Sequence, residues 1–348
     1  RKFACLHHQK LIVMISQILL SLVLLPLVAL FILLFIESKR ERLISSLVLI
    51  STITGLFMSL LAFLYWMLGE GKPIYHKVGS IYSHHDFDFI FGFYYDLNSG
   101  VFQLLGALLF FVVALFSKFY MHREEGFKRY FFAFLFFMTG YNIAVLSGNF
   151  ESFFVGWEII GISSFLLIAF YRDRILPVRN GFKVLSFYRL GDIFLIMALF
   201  LCHHLWHRNI QFDELTQENI VGSLSSSQES LLLWLSLFIV LAALIKSAQF
   251  PFSSWLPRAM EGPSSSSSIF YGSLAVHLGI FLLLRTFPLW SHDYFIRGLL
   301  VAVGLISAIS GTLISRVQSG VKSQLAYSTV VQIGFMLMEL GFGLNGFV

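Results

Sequence analysis

Lys246, Glu158, Arg189 and Asp192 are charged residues set inside long apolar runs, and chemistry is to be sought there first. A charge at the centre of a bilayer costs about 2.5–3.5 kcal/mol on insertion scales, so it persists only where it is compensated or used. Lys246 stands in Leu241-Ala-Ala-Leu-Ile-Lys-Ser-Ala-Gln-Phe-Pro, about 24 Å along its run at roughly 1.5 Å per residue. Pro251 lacks the N–H that would reach the carbonyl of Ser247, and it biases Phe250 away from helical geometry. A broken helix is therefore predicted beside the lysine. Freed carbonyls at membrane depth are tolerated where they face protein or water, and discontinuous helices mark ion sites in transporters. A lysine at such a break suits uptake and release of a proton; the plainer alternative is a lysine snorkelling from a helix end.

The other charges divide in the same way. Glu158, in Val155-Gly-Trp-Glu-Ile-Ile-Gly, is either a neutral acid bonded to a neighbouring helix or a partner that pairs with Lys246 and tunes its proton affinity. Arg189 and Asp192 are three residues apart and share a helix face, as a self-neutralising pair or a functional one. His277 lies mid-run, and its titration range suits a proton relay as well as a structural hydrogen bond. Lys322 reads as a loop charge or as one on a polar helix face. Glu339 is either a buried acid or an interfacial one.

Metal and nucleophile readings are weaker. His203, His204 and His207 beside Cys202, and His84, His85, Asp86 and Asp88 in one loop, have ligand-type side chains. Both groups fall at span ends or in loops, where polar residues collect at the interface, so no metal site is assigned. The serine run 264–268 has no base placed by spacing and reads as the polar entry to the next helix. Cys5 and Cys202 are the two cysteines, too few for an iron–sulfur cluster or a disulfide framework.

The elements that position these residues follow from composition. The chain has 348 residues, 57% hydrophobic and 12% charged, whereas soluble domains carry about 25% charged residues. The excess of five positive charges is too small and scattered for a nucleic-acid footprint. Runs long enough for a bilayer core of about 30 Å fall near 11–36, 43–68, 97–120, 127–148, 150–171, 182–205, 230–250, 269–290, 295–315 and 321–343. The expected fold is an all-α polytopic transmembrane bundle of about ten spans. Alternate loops hold 14 Lys and Arg on one side and 8 on the other, which places the first set in the cytoplasm and the N-terminus outside. The first run is too long for a signal sequence, and the abrupt apolar end at Gly346-Phe347-Val348 reads as a fragment's.

Several strings together resemble the antiporter-like membrane subunit of complex I, chain 5 or chain L, and its relatives in multisubunit cation/proton antiporters. They are Tyr120-Met-His-Arg-Glu-Glu-Gly-Phe-Lys-Arg-Tyr-Phe, Gly156-Trp-Glu, Arg189-Leu-Gly-Asp-Ile-Phe, Lys246-Ser-Ala-Gln-Phe-Pro, Trp255-Leu-Pro-Arg-Ala-Met-Glu-Gly-Pro and Leu325-Ala-Tyr-Ser-Thr. The Lys-Ser-Ala-Gln and Trp-Leu-Pro strings are the specific ones. The resemblance implies inverted five-helix repeats, each with a broken helix, and proton transfer along a polar axis. It divides the chain into N-terminal helices 1–120, a first half-channel 121–290 and the start of a second repeat 291–348. It implies that Glu158 and Lys246 are the half-channel's glutamate and broken-helix lysine, Arg189 and Asp192 the neighbouring polar pair, and Lys322 the lysine before the Leu-Ala-Tyr-Ser-Thr string. The chain ends before the second broken helix of that family.

The sequence also departs from the family. Ser264-Ser-Ser-Ser-Ser-Ile-Phe-Tyr stands for Thr-Pro-Val-Ser-Ala-Leu-Ile-His, so Tyr271 replaces a relay histidine, with His277 six residues on. Gly320 stands where the family carries an acidic loop, and Glu339 where a small apolar residue is usual. The implied function is a proton-translocating subunit of a complex I-like NADH-quinone oxidoreductase. No cofactor is expected in this chain, with NADH, FMN, iron–sulfur clusters and quinone in partner subunits. The implied partners are other membrane subunits, protons or sodium, and the lipid bilayer of a bacterial inner membrane. The alternatives are the membrane half of a proton-driven inorganic-carbon uptake complex with a soluble zinc protein, a cation/proton antiporter module, and an assembly factor without transport.

Overall fold

The computed structural model describes residues 2–69, 71–84, 87–215, 222, 228–269, 273–344, 346 and 348, without the side chains of 2–12, 81, 83, 84, 87, 88, 268 and 269. Among the described residues nine helices are long and apolar enough to cross a membrane, and the architecture is the expected all-α polytopic bundle. The chain forms two compact units, Arg1–Ser83 with Asp88–Ser164, and His84–Phe87 with Phe165–Val348.

The first unit contains α1 (Lys2–Phe35), α2 (Glu41–Leu68), α3 (Leu97–Tyr120), α4 (Phe127–Leu146) and most of α5 (Phe150–Ile168). Helix α4 is its centre, packing on α1, α2 and α3. Phe131, Phe134 and Phe137 are buried on it, and its ring contacts with Phe110 of α3 are edge-to-face, the arrangement aromatic quadrupoles favour. A buried polar chain crosses this apolar packing. Pro26 lies inside α1 and has no N–H for the carbonyl of Leu22, four residues back. Asn142 Nδ2 of α4 donates to that carbonyl at 2.7 Å, and Gln103 Nε2 of α3 donates to Asn142 Oδ1 at 3.1 Å. Asn142→Leu is expected to lower stability by about 1–3 kcal/mol, the cost of an orphaned buried acceptor, readable as a fall in melting temperature in detergent.

Strands β1 (Ile74–His84) and β2 (Phe87–Tyr95) pair in the segment between α2 and α3. Composition places this stretch outside the membrane, and the strands are an addition to that expectation. The hairpin docks on the α4–α5 turn: Gly148 N–H donates to Gly92 O at 2.8 Å and Asn149 Nδ2 to Ile90 O at 2.6 Å. Asn149 also begins α5, its Oδ1 accepting from Ser152 N–H at 2.9 Å, an N-cap of the favoured kind.

The second unit holds α6 (Ile175–Trp206), α7 (Phe212–Leu215), α8 (Glu229–Lys246), two 3₁₀ turns (Ser253–Trp255 and Pro257–Glu261), α9 (Ser264–Ile269), α10 (His277–Arg285), α11 (Phe287–Trp290), α12 (Tyr294–Arg316) and α13 (Val321–Phe342). Helices α12 and α13 form one tight pair, α6 and α8 another. Gly304 and Gly334 let the α12 and α13 backbones meet, since a Cβ on either would strike the other's carbonyl. Small residues of this kind let membrane helices approach. The run expected as one span near 269–290 is divided: α10 ends at Arg285 and Pro288 opens the separate turn of α11.

Candidate functional site

Helix α8 ends at Lys246 and does not resume as an α-helix beyond it. The end is a Schellman cap: Ala248 N–H donates to Ile245 O at 3.2 Å and Gln249 N–H to Leu244 O at 2.9 Å, with Ala248 left-handed at φ 52°. Glycine is the usual residue there, because a Cβ is strained in that conformation. Alanine tolerates it; a β-branched side chain does not. Ala248→Val is therefore expected to destabilise the cap by about 1–3 kcal/mol, the overpacking of a β-branched side chain added to the αL strain that alanine already bears, measurable by thermal unfolding.

Pro251 then leaves the Ser247 carbonyl without its helical donor. Gln249 supplies one, Nε2 donating to Ser247 O at 3.0 Å and to Val330 O of α13 at 3.3 Å. Phe250 N–H donates to Ser307 Oγ of α12 at 2.9 Å, Trp255 Nε1 to Ile245 O at 3.0 Å, and Ser247 Oγ to Val276 O at 2.9 Å. The broken backbone is thus hydrogen-bonded by side chains from its own turns and from α12, as irregular backbone at membrane depth requires. Gly279 of α10 closes against the break, where a Cβ would meet Ser247 and the Ala243 carbonyl.

Lys246 is 1% exposed. Its Nζ lies 4.2 Å from the ring centroid of Tyr188 on α6, and Tyr188 meets Trp255 edge to face with centroids 5.1 Å apart. A desolvated cation over an aromatic face gains about 2 kcal/mol, so the lysine keeps a compensating surface in an apolar setting. Next along α6, Arg189 and Asp192 form an ion pair at 3.0 Å, the carboxylate buried and the guanidinium 45% exposed. Gly191 brings that helix against Ile245 of α8. Lys246, Tyr188 and Gly191 therefore share the α6–α8 contact, with the Arg189–Asp192 pair on the same stretch of α6.

His277 opens α10, next to Val276, whose carbonyl accepts from Ser247. Lys322 sits in the first turn of α13 and donates to Gly262 O at 3.1 Å and Met260 O at 3.5 Å, tying that helix to the end of the second 3₁₀ turn. Glu339 is half-buried in the last turn of α13. Glu158 belongs to the first unit, half-buried on α5. Gly156, two residues before it, packs on the backbone of Gly140 and Ala144 of α4 with no room for a Cβ, which fixes the helix that carries the glutamate. Tyr271 lies outside the described residues, as do the side chains of the His84–Asp88 group. His204 packs on Phe200 and His207 by ring contacts. Among the described residues no three His, Cys, Asp or Glu are grouped to hold a metal ion.

Gln249 and Trp255 entered the sequence analysis only within the Lys-Ser-Ala-Gln and Trp-Leu-Pro strings, and neither they nor Tyr188 and Ser307 were given a role there. Gln249 carried a signal, an amide two residues before a proline in an apolar run; Tyr188 and Ser307 reach the break only through tertiary packing.

Nine membrane-length helices among the described residues define a multi-pass integral membrane protein, an all-α polytopic bundle, with Lys246 buried where α8 ends. Residues 147–347 match the family described as NADH:quinone oxidoreductase/Mrp antiporter, transmembrane, and residues 82–131 match the N-terminus of complex I chain 5. The chain belongs to the NADH:quinone oxidoreductase/Mrp antiporter membrane family. It is 32% identical over 277 residues to the chloroplast NAD(P)H-quinone oxidoreductase subunit 5 of Gossypium barbadense, covering 79% of this chain and 37% of that one. The Poa pratensis subunit is 34% identical over 276 residues, with 79% and 39% covered. The chain thus spans under two-fifths of the length of these relatives. Its fold is similar to one in the archaeal membrane-bound sulfane sulfur reductase, a respiratory membrane complex (TM-score 0.79, 21% identity, 94% of this chain and 65% of that one). It is also similar to one in the Mrp complex of Dietzia sp. DQ12-45-1b (TM-score 0.77, 24% identity, 93% and 34%).

Proposed function

We propose that the chain is a proton-translocating membrane subunit of a complex I-like oxidoreductase, driven by electron transfer in partner subunits. The observation that carries this reading is Lys246, buried at the end of α8 where the helix breaks. A lysine exchanges a proton without leaving its place, provided that the neighbouring structure stabilises both of its states. Tyr188 supports the charged state through its ring face.

In this reading residues 121–290 form a first half-channel and 291–348 begin a second. Lys246 is the central carrier, Glu158 sets its proton affinity, and Arg189 with Asp192 lie along the path. His277 relays from α10, and Lys322 begins the onward route. The chain itself needs no redox cofactor; NADH, FMN, iron–sulfur clusters and quinone belong to partner subunits. The excess of Lys and Arg in alternate loops supports a cytoplasmic-membrane orientation with the N-terminus outside, in a bacterial inner membrane. A second reading, a subunit of a multisubunit cation/proton antiporter, draws on the same family match, which spans both kinds of complex.

Mass spectrometry of proteins that co-purify with the tagged full-length protein in mild detergent separates these. Iron–sulfur and quinone-site subunits are the expected result. Antiporter subunits together with sodium-dependent proton movement would favour the second reading, and a single soluble zinc protein would overturn both.

A further inference from the structure

A cavity of about 740 Å³ in the first unit lies between the start of α2 and the end of α3, lined by Lys39, Arg40, Arg42, Lys118 and Arg123. Five permanent cations around one cavity repel each other unless an anion joins them. The carboxylates nearby are already engaged. Glu41, which also lines the cavity, accepts from His122 Nδ1 at 2.7 Å and from Arg123 N–H at 3.2 Å, and Glu37 lies 3.6 Å from Arg40. Lys39 and the guanidinium groups of Arg42 and Arg123 have no ion-pair partner among the described residues. The N-cap residue of α2, Arg40, makes no side-chain capping bond, and the first turn already holds one acid, Glu41, so the helix end adds only a small pull on an anion. An adjoining cavity mixes Glu41, Glu124 and Glu125 with Lys128 and Arg129, so the excess of positive charge belongs to the first pocket.

Its setting selects the kind of anion. The pocket lies at the ends of two membrane-length helices, and its lining includes Leu43 and Phe119, 51% and 76% exposed. A free phosphate gains nothing from exposed apolar side chains, whereas a phospholipid places its phosphate among the cations and its acyl chains along them. Basic pockets at the ends of membrane helices recognise acidic head groups in this way. We propose that this pocket binds the head group of an anionic phospholipid.

The test uses the full-length protein, purified with its native partners in mild detergent, with phosphatidylglycerol binding measured by native mass spectrometry. The wild type is expected to bind phosphatidylglycerol in preference to phosphatidylcholine. The triple variant Arg42→Gln, Lys118→Gln, Arg123→Gln should bind it about a hundredfold more weakly, roughly fivefold per charge removed. Should the triple variant fail to assemble, the double variant Lys39→Gln, Arg123→Gln reads the same effect at about twenty-five-fold. Equal binding by variant and wild type, equal binding of phosphatidylcholine, or displacement of the lipid by inorganic phosphate at millimolar concentration would each overturn the proposal.

Discussion

Lys246→Ala is expected to reduce proton translocation to background in sealed vesicles, with the chain inserted at the wild-type level. The variant removes the titratable group at the end of α8 but leaves the hydrogen bonds of the break untouched, since none of those between Gln249, Ser247, Trp255 and their acceptors uses the lysine side chain. Insertion does not suffer, because a central lysine itself costs about 2.5–3.5 kcal/mol to place in a bilayer. Alanine also empties the space over Tyr188, so packing is a second route to failure. Lys246→Met keeps the volume and the aromatic contact without the proton site, and the same loss is expected of it. A pH-sensitive dye inside the vesicles gives the rate. Methionine at full rate would show that the site needs only an apolar filler.

Gln249→Leu is expected to be the most destabilising single change at the break, by about 2–4 kcal/mol. The amide is buried and donates to Ser247 O and Val330 O, and each acceptor left dry costs about 1–3 kcal/mol. The carbonyl of Ser247 loses more, because Pro251 has already removed its helical donor, whereas Val330 lies within a continuous helix. Thermal unfolding of the detergent-solubilised protein would show a lowered midpoint. An unchanged melting curve would mean that another donor reaches the Ser247 carbonyl once the amide is gone.

These two residues also show what could be read before the fold was known. The lysine was legible because its cost in lipid is large and its neighbours are apolar, and the break because proline removes one specific N–H. Gln249, which answers the freed carbonyl, stands only two residues from it, but the contacts that anchor the break to distant helices were not legible, since Val330 and Ser307 lie 81 and 57 residues from their partners Gln249 and Phe250. The same device recurs in the first unit, where Asn142 answers the carbonyl freed by Pro26, and uncharged amides of this kind stand out little in a hydropathy reading. Hydropathy also counted 269–290 as one run, although Pro288 restarts the chain as a separate turn. The β1–β2 hairpin escaped because a segment judged only by its failure to span a membrane says nothing of its own backbone.

Uptake and release of a proton by Lys246 in place can be followed by nitrogen-15 magnetic resonance of lysine-labelled protein in its assembled complex. The Lys246 signal is assigned by its absence from Lys246→Met. The expected signal is a side-chain nitrogen that changes between ammonium and neutral amine as the complex is driven through turnover. A signal that remains ammonium in every state while protons are still pumped would contradict it.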